Sequence, residues 1–211
     1  MTDAFRPPYP GYDVLDKWHS PSWNDQTREV MIDRATPPEP VFFGAGEYRT
    51  LQALCDRVVP QPERAAPIPV APWIDAACAA GRGSGTRYAD MPEGGTAWRR
   101  GLSALDAEAQ ARHGAGFADI ADGARDAILR AVDAGDLAAP AAWGDMPAQR
   151  FLRHTALKQI VQVYYVHPAA MSEIGYGGPA APRGYVRLGA DRADPWEAPP
   201  GDWSDRAGDA S

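Results

Sequence analysis

Apolar side chains at helical spacing are the feature that most constrains the fold of this chain. Between residues 45 and 59 they recur three and four positions apart, on one face of a helix, and Pro60 ends the pattern. Comparable patterns cover about residues 70–80, 96–113, 117–132 and 147–167. No stretch of four to eight residues alternates with the period of two that marks a half-buried strand. The sequence therefore predicts an all-α fold, a compact bundle of about five or six helices.

Local signals predict where several helices begin and end. Gly114 follows a helical stretch and is expected to stop it. Ser103 and Asp106 have the spacing of a capping box, which predicts a fresh helix through residues 107–112. Pro147 fits the first turn of a last, long helix that ends shortly before Pro168. The inward-facing positions of this last helix are expected to be Phe151, Thr155, Ile160, Val163 and Tyr164.

Residues 1–40 are expected to form an extended arm. They include seven prolines, which exclude a helix interior and remove backbone donors. A short helix near residues 24–34 fits between these prolines. Aromatic side chains in the arm suit contact with another surface, and the sequence leaves open whether they pack on this chain or on a partner. The candidate contact residues of the arm are Tyr9, Tyr12, Trp18 and Trp23.

The chain is predicted to contain three segments. Residues 41–189, after the arm, are expected to form the helical domain. Residues 190–211 are expected to form an irregular, flexible tail. This segment contains six acidic residues and only two arginines, and an excess of like charge keeps a segment solvated.

Charge and hydropathy limit the classes of partner. The net charge of −7 disfavours nucleic acid and anionic membrane surfaces, because both are bound by basic faces. No run approaches the roughly 20 apolar residues that a membrane-spanning helix needs. The first ten residues lack the charged and apolar regions of a signal peptide. These features predict a cytoplasmic protein that would reach the periplasm only by export with a partner.

The reactive side chains form no recognised catalytic pattern. The four histidines lack the spacing of metal ligands, and no flavin or dinucleotide fingerprint follows a strand. Cys55 and Cys78 are interpreted as buried free thiols, with a disulfide between them or to a partner chain as the alternative. Six helical acids are interpreted as solvated charge: Asp56, Asp75, Asp106, Glu108, Asp119 and Asp126. The sequence thus predicts no catalytic, cofactor-binding or metal-binding residue in this chain.

The loop after the last helix is the strongest candidate for a binding site. It reads Glu173-Ile-Gly-Tyr-Gly-Gly-Pro, and Pro182-Arg-Gly-Tyr follows. Glycine permits positive φ and close backbone approach, while tyrosine offers a large contact at small entropic cost. Ile174, Tyr176 and Tyr185 are therefore predicted to contact a partner. The alternative is a tight intramolecular turn with Tyr176 packed against the last helix.

At these residues the chain resembles the gluconate 2-dehydrogenase subunit 3 family, the small subunit of membrane-associated flavoprotein dehydrogenases. The resemblance runs from about Phe42 to Tyr185. It rests on the order of Phe42-Phe, the helix at 47–54, Trp98-Arg-Arg-Gly-Leu, Phe151 with Tyr164-Tyr-x-His-Pro, and the closing loop.

The resemblance implies a non-catalytic accessory subunit that binds and stabilises a large FAD-dependent subunit of the glucose–methanol–choline oxidoreductase type. That large subunit oxidises a sugar or polyol, so FAD is expected in the partner and no cofactor in this chain. Many members also aid export and occur with a cytochrome c, but the twin-arginine start common in the family is absent here. Two alternatives stay open: a maturation chaperone that leaves the finished complex, and a stand-alone all-α enzyme.

Overall fold

A computed structural model of the chain describes residues 8–62, 64–82, 88–179 and 194–199. All regular structure in these ranges is helical, so the all-α prediction is confirmed. The α-helices are α1 (Asp25–Ala35), α2 (Ala45–Val58), α3 (Val70–Ala79), α4 (Gly94–His113), α5 (Asp122–Ala134), α6 (Pro140–Trp143), α7 (Ala148–Arg150), α8 (Lys158–Tyr165) and α9 (Pro168–Glu173). Two 3-10 helices, Val14–His19 and Phe117–Asp119, and a π-helix, Phe151–Leu157, complete the described elements.

The chain divides into two compact units. Unit 1 consists of residues 1–37 and 165–211, and unit 2 consists of residues 38–164. Helix α9 and the loop after it thus share a unit with the arm. The predicted segments 1–40, 41–189 and 190–211 stay a prediction, and most of the tail lies outside the described residues. No described helix combines the length and hydropathy needed to cross a bilayer.

Unit 2 is centred on α4, the longest helix. The ring of Phe151 lies directly on Gly101 of α4, where an added Cβ would enter the ring. The rings of Trp98 and Trp143 flank Phe151, with centroids 5.7 and 5.9 Å away. All three aromatic side chains are buried. The missing side chain at Gly101 therefore allows the π-helix to lie close against α4.

The predicted helix start at Ser103 is wrong, because α4 runs without a break from Gly94 to His113. Its continuous apolar stripe outweighs the local capping pattern. The Asp106 carboxylate instead accepts hydrogen bonds from the Thr50 hydroxyl at 3.0 Å and the Phe117 N–H at 2.9 Å. The predicted stop at Gly114 is confirmed, since this residue has a left-handed φ of 71°.

The predicted long last helix is present as a helical run over residues 148–165, but its middle is the π-helix. A π-turn holds an extra residue, so it rotates the positions that follow it relative to regular α-helical spacing. Phe151, Ile160 and Tyr164 are buried as predicted. Thr155 and Val163, also expected to face inward, are half-buried.

Unit 1 has a small core of its own. It contains Val14, Trp23, Met31 and Met171, and the rings of Tyr12 and Trp18 pack against it. The described part of the arm is therefore not extended throughout, because it includes the helix Val14–His19 and α1. Of the two packing alternatives for its aromatic side chains, the structure shows packing within this unit.

The expectation that the six helical acids are solvated is wrong for two of them. Asp75 and Glu108 are fully buried. Asp75 accepts hydrogen bonds from the N–H groups of residues 41–43, at 2.6 to 3.1 Å. Glu108 accepts from the N–H groups of residues 138–139, at 2.8 and 3.0 Å, and from the Trp143 indole at 3.2 Å. Each carboxylate thus holds a loop, which helical periodicity alone does not reveal.

Both cysteines are free thiols, as interpreted from the sequence, but only Cys55 is buried, whereas Cys78, near the end of α3, is half-buried. Burial raises the pKa of the Cys55 thiol well above its ordinary value. Burial, assisted by the charge of Asp75, raises the pKa of Cys78 to about 12. Both groups are therefore protonated at neutral pH and are poor nucleophiles.

Replacing Gly101 with alanine is expected to destabilise unit 2. The new methyl group would meet the ring of Phe151, which is enclosed by Trp98 and Trp143, and overpacking of this kind costs about 1–3 kcal/mol. Gly123→Ala in α5 is the matched control, because nothing lies within 4 Å of an added Cβ there, and it should stabilise by up to about 1 kcal/mol. Urea denaturation measures both changes, and equal stability of the two variants would contradict this packing.

The two thiols are expected to react slowly in the native chain. At pH 8 a thiol with a pKa of about 12 is a thiolate in roughly one molecule in 10,000. A chromogenic disulfide reagent should therefore label Cys55 and Cys78 quickly only after denaturation. The unfolded chain in urea is the control, and labelling of either native thiol at pH 8 as fast as in the unfolded chain would contradict the raised pKa of that thiol.

Candidate protein-binding site

The glycine–tyrosine loop begins with a Schellman turn at the end of α9. Ile174 is the C-cap, and Gly175 follows with a left-handed φ of 67°. The Gly175 N–H donates to the Ser172 carbonyl at 3.2 Å, and the Tyr176 N–H donates to the Met171 carbonyl at 2.9 Å. This pair of bonds defines the motif, and glycine is favoured at its left-handed position. The tight intramolecular turn considered from the sequence is therefore present.

The arm packs its rings against the glycines of this loop. A Cβ on Gly175 would lie 2.7 Å from the ring atoms of Tyr9, and one on Gly178 would lie 3.1 Å from the ring of Trp23. Both glycines also have positive φ. The structure thus brings together two groups of residues that the sequence offered as separate candidates.

A buried lysine joins the same loop to the arm. The Lys17 ammonium donates to the Gly177 carbonyl at 2.6 Å and to the Glu197 carboxylate at 2.9 Å. Nearby, the Val14 N–H donates to the Ser172 hydroxyl at 3.0 Å. Lys17 is not among the contact residues predicted from the sequence. The signal that could have identified it is the rarity of lysine, since only two of the 21 basic residues are lysines.

The outer side of the loop is exposed. Ile174 and Tyr176 are 42% and 48% exposed, so about half of each side chain is open to contact. Tyr165 and Val166, which precede α9 in the same unit, are also exposed. Exposed apolar and aromatic side chains on a rigid turn have the composition that the cores of protein interfaces bury.

The six predicted contact residues that the structure describes fall into three groups by exposure. Ile174 and Tyr176 are exposed, while Trp23 is 2% exposed and belongs to the core of unit 1. The half-buried ones are Tyr9, Tyr12 and Trp18. Tyr185 lies outside the described residues. Contact of any of them with a partner stays a prediction.

Unit 2 contains a separate cleft of about 690 Å³. The π-helix contributes His154 and Thr155 to its wall, and Cys78 lies at another side. π-helical turns are rare and often occur at functional sites, so the contacts of these groups decide what the cleft can do.

Several polar and aromatic groups of the cleft make contacts within unit 2. The Trp98 indole donates to the Gln159 side chain at 2.8 Å. The Tyr88 ring lies 5.0 Å from the ring of His154 and 4.5 Å from the guanidinium of Arg150. Within the described ranges no group of three or more His, Cys, Asp or Glu side chains is placed to hold a metal ion. The cleft walls thus have a clear role in packing.

Comparison with known proteins identifies the family. A family model described as Gluconate 2-dehydrogenase subunit 3 matches residues 45–178, which is more than half of the chain and ends within the glycine–tyrosine loop. No curated protein and no solved structure matches the chain. The match confirms the resemblance seen in the sequence: the chain belongs to the gluconate 2-dehydrogenase subunit 3 family.

Proposed function

We propose that this chain is a non-catalytic small subunit that binds and stabilises a large FAD-dependent dehydrogenase subunit. The observation that carries the proposal is family membership, because the family is named for a dehydrogenase subunit and its match includes the exposed loop. The large subunit would be an oxidoreductase of the glucose–methanol–choline type that holds the FAD and oxidises a sugar or polyol. A cytochrome c would be a further partner, and the cytoplasmic localisation stays a prediction.

The loop of residues 174–178 is the proposed centre of the interface. Tyrosine is among the residues that contribute most to binding when it fills a pocket at the centre of an interface. The Schellman turn and the contacts with Tyr9 and Lys17 hold the loop before binding. Because little backbone freedom is then lost on association, more of the contact energy is retained as affinity.

The contacts and the protonation of the side chains that line the cleft favour an accessory subunit over a stand-alone enzyme. The Cys78 thiol is protonated at neutral pH, since its pKa is about 12. The Trp98 indole and the Tyr88 ring make contacts within unit 2 that stabilise the fold. The exposed loop of unit 1, by contrast, presents side chains whose contacts a partner would complete.

Tyr176→Ala is expected to weaken binding to the large subunit about 30-fold, which corresponds to a loss of about 2 kcal/mol at an interface hot spot. The measurement is the Kd between this chain and a candidate large FAD-dependent subunit of the glucose–methanol–choline type from the same genome. Tyr88→Ala is the matched control, because Tyr88 has the same 48% exposure but lies in unit 2. Its affinity should stay within about twofold of the wild-type value.

Equal affinities for the Tyr176 and Tyr88 variants would contradict the proposed interface, and no binding by the wild-type chain would contradict the function. The same preparation separates a subunit from a maturation chaperone. A subunit stays in the purified, active complex in a fixed ratio to the flavoprotein, whereas a chaperone is absent from it.

A further inference from the structure

The two lysines of the chain lie in opposite environments. The 19 other basic residues are arginines, which leaves Lys17 and Lys158. Lys17 is 2% exposed, in the helix Val14–His19 of unit 1. Lys158 is exposed at the start of α8. A chain that uses arginine for nearly every surface cation thus places a lysine at a buried position.

Burial of this ammonium has a cost that its partners must offset. Removing a charge from water costs several kcal/mol unless it is paired and hydrogen-bonded. Lys17 meets that need with the Gly177 carbonyl at 2.6 Å and the Glu197 carboxylate at 2.9 Å. A compact ammonium with three donors suits a carbonyl and a carboxylate that lie in different directions.

An apolar side chain could fill this space beside the core of Val14, Trp23, Met31 and Met171. Replacement of a buried ion pair by packed apolar groups is often neutral or stabilising. Stability alone therefore explains poorly why a lysine occupies position 17. A directional hydrogen bond from Lys17 to one particular carbonyl, by contrast, fixes the conformation of the segment that contains this carbonyl.

That carbonyl belongs to the residue directly after Tyr176. An added Cβ on Gly177 would collide with the Glu197 carboxylate and lie 2.8 Å from the Lys17 nitrogen, so the backbone is held tightly here. The exposed side chains of Ile174 and Tyr176 are on the same short loop. A bond that fixes Gly177 thus also limits the directions in which the Tyr176 side chain can project.

We propose that Lys17 is a positioning residue for partner binding, whose ammonium fixes the loop of residues 174–178 so that Ile174 and Tyr176 are presented to the large flavoprotein subunit. This inference rests on the proposed function. In this proposal the arm fixes the conformation of the contact loop of the same chain.

The test compares Lys17→Met with Lys158→Met, and it adds the double variant Lys17→Met/Glu197→Gln so that no unpaired carboxylate remains. Hydrogen exchange of the Tyr176 and Gly177 amides in the free chain reports on the loop. Both Lys17 variants should exchange there at least about tenfold faster than wild type. Lys158→Met should exchange at the wild-type rate.

The binding measurement uses the same candidate large FAD-dependent subunit as the Tyr176 experiment. The double variant should bind at least about tenfold more weakly, with its thermal midpoint within a few degrees of wild type, because the apolar substitution leaves the core filled. If the wild-type chain binds and the double variant binds with the same Kd, the role of Lys17 is overturned while the proposed function stands. Absence of wild-type binding overturns the proposed function and this inference with it.

Amine acetylation of the folded wild-type chain covers the case in which the variants fail to fold. Lys158 should be modified at least about a hundredfold faster than Lys17, because Lys158 is exposed while Lys17 is buried and is reached only when the loop opens. Peptide mass spectrometry separates the two sites. Comparable rates at both lysines would show that the ammonium is not held against Gly177 and would overturn the inference.

Discussion

Buried charges that bind loop backbone are the interactions on which this structure depends. Loop N–H and carbonyl groups need partners wherever water is excluded, and a charged side chain provides strong ones. In unit 2, Asp75 holds residues 41–43 and Glu108 holds residues 138–139. In unit 1, Lys17 holds the carbonyl of Gly177. Each of these charges fixes backbone that has no helical hydrogen bonds of its own.

This arrangement explains how a short loop can serve as a contact site. A loop without internal regularity loses conformational entropy when it binds, and that loss reduces affinity. Here the Schellman turn, the Tyr9 ring and the Lys17 ammonium order residues 174–178 beforehand. The polar and close-packed side of the loop faces the arm, while the side chains of Ile174 and Tyr176 face outward. Such a division suits a subunit that recognises another protein.

The sequence predicts the regular part of this fold well and its exceptions poorly. Helical spacing and terminal proline or glycine identify α2 and α3 to within a residue or two, because these signals are local. The π-helix is not predicted, since periodic apolar spacing does not distinguish a π-turn from an α-turn, and the contact of Phe151 with Gly101 joins residues far apart in sequence. The capping pattern at Ser103 fails because the packing of α4 outweighs a local preference.

At the candidate site, too, local features are predicted from the sequence and long-range contacts are not. Glycines and tyrosines in one loop predict a binding site, which stays a prediction, whereas the family resemblance is confirmed. The arm and the loop are far apart along the chain, so the contact of Lys17 with Gly177 cannot be found from spacing. The burial of Trp23 is hidden for the same reason.

The most direct test of the account is a hydrogen-exchange footprint of the complex purified with its large subunit. If the loop is the contact site, amides of residues 174–177 become protected on binding, while those of residues 154–159 beside the cleft of unit 2 do not change. Protection confined to the cleft, with the loop unaffected, would contradict it.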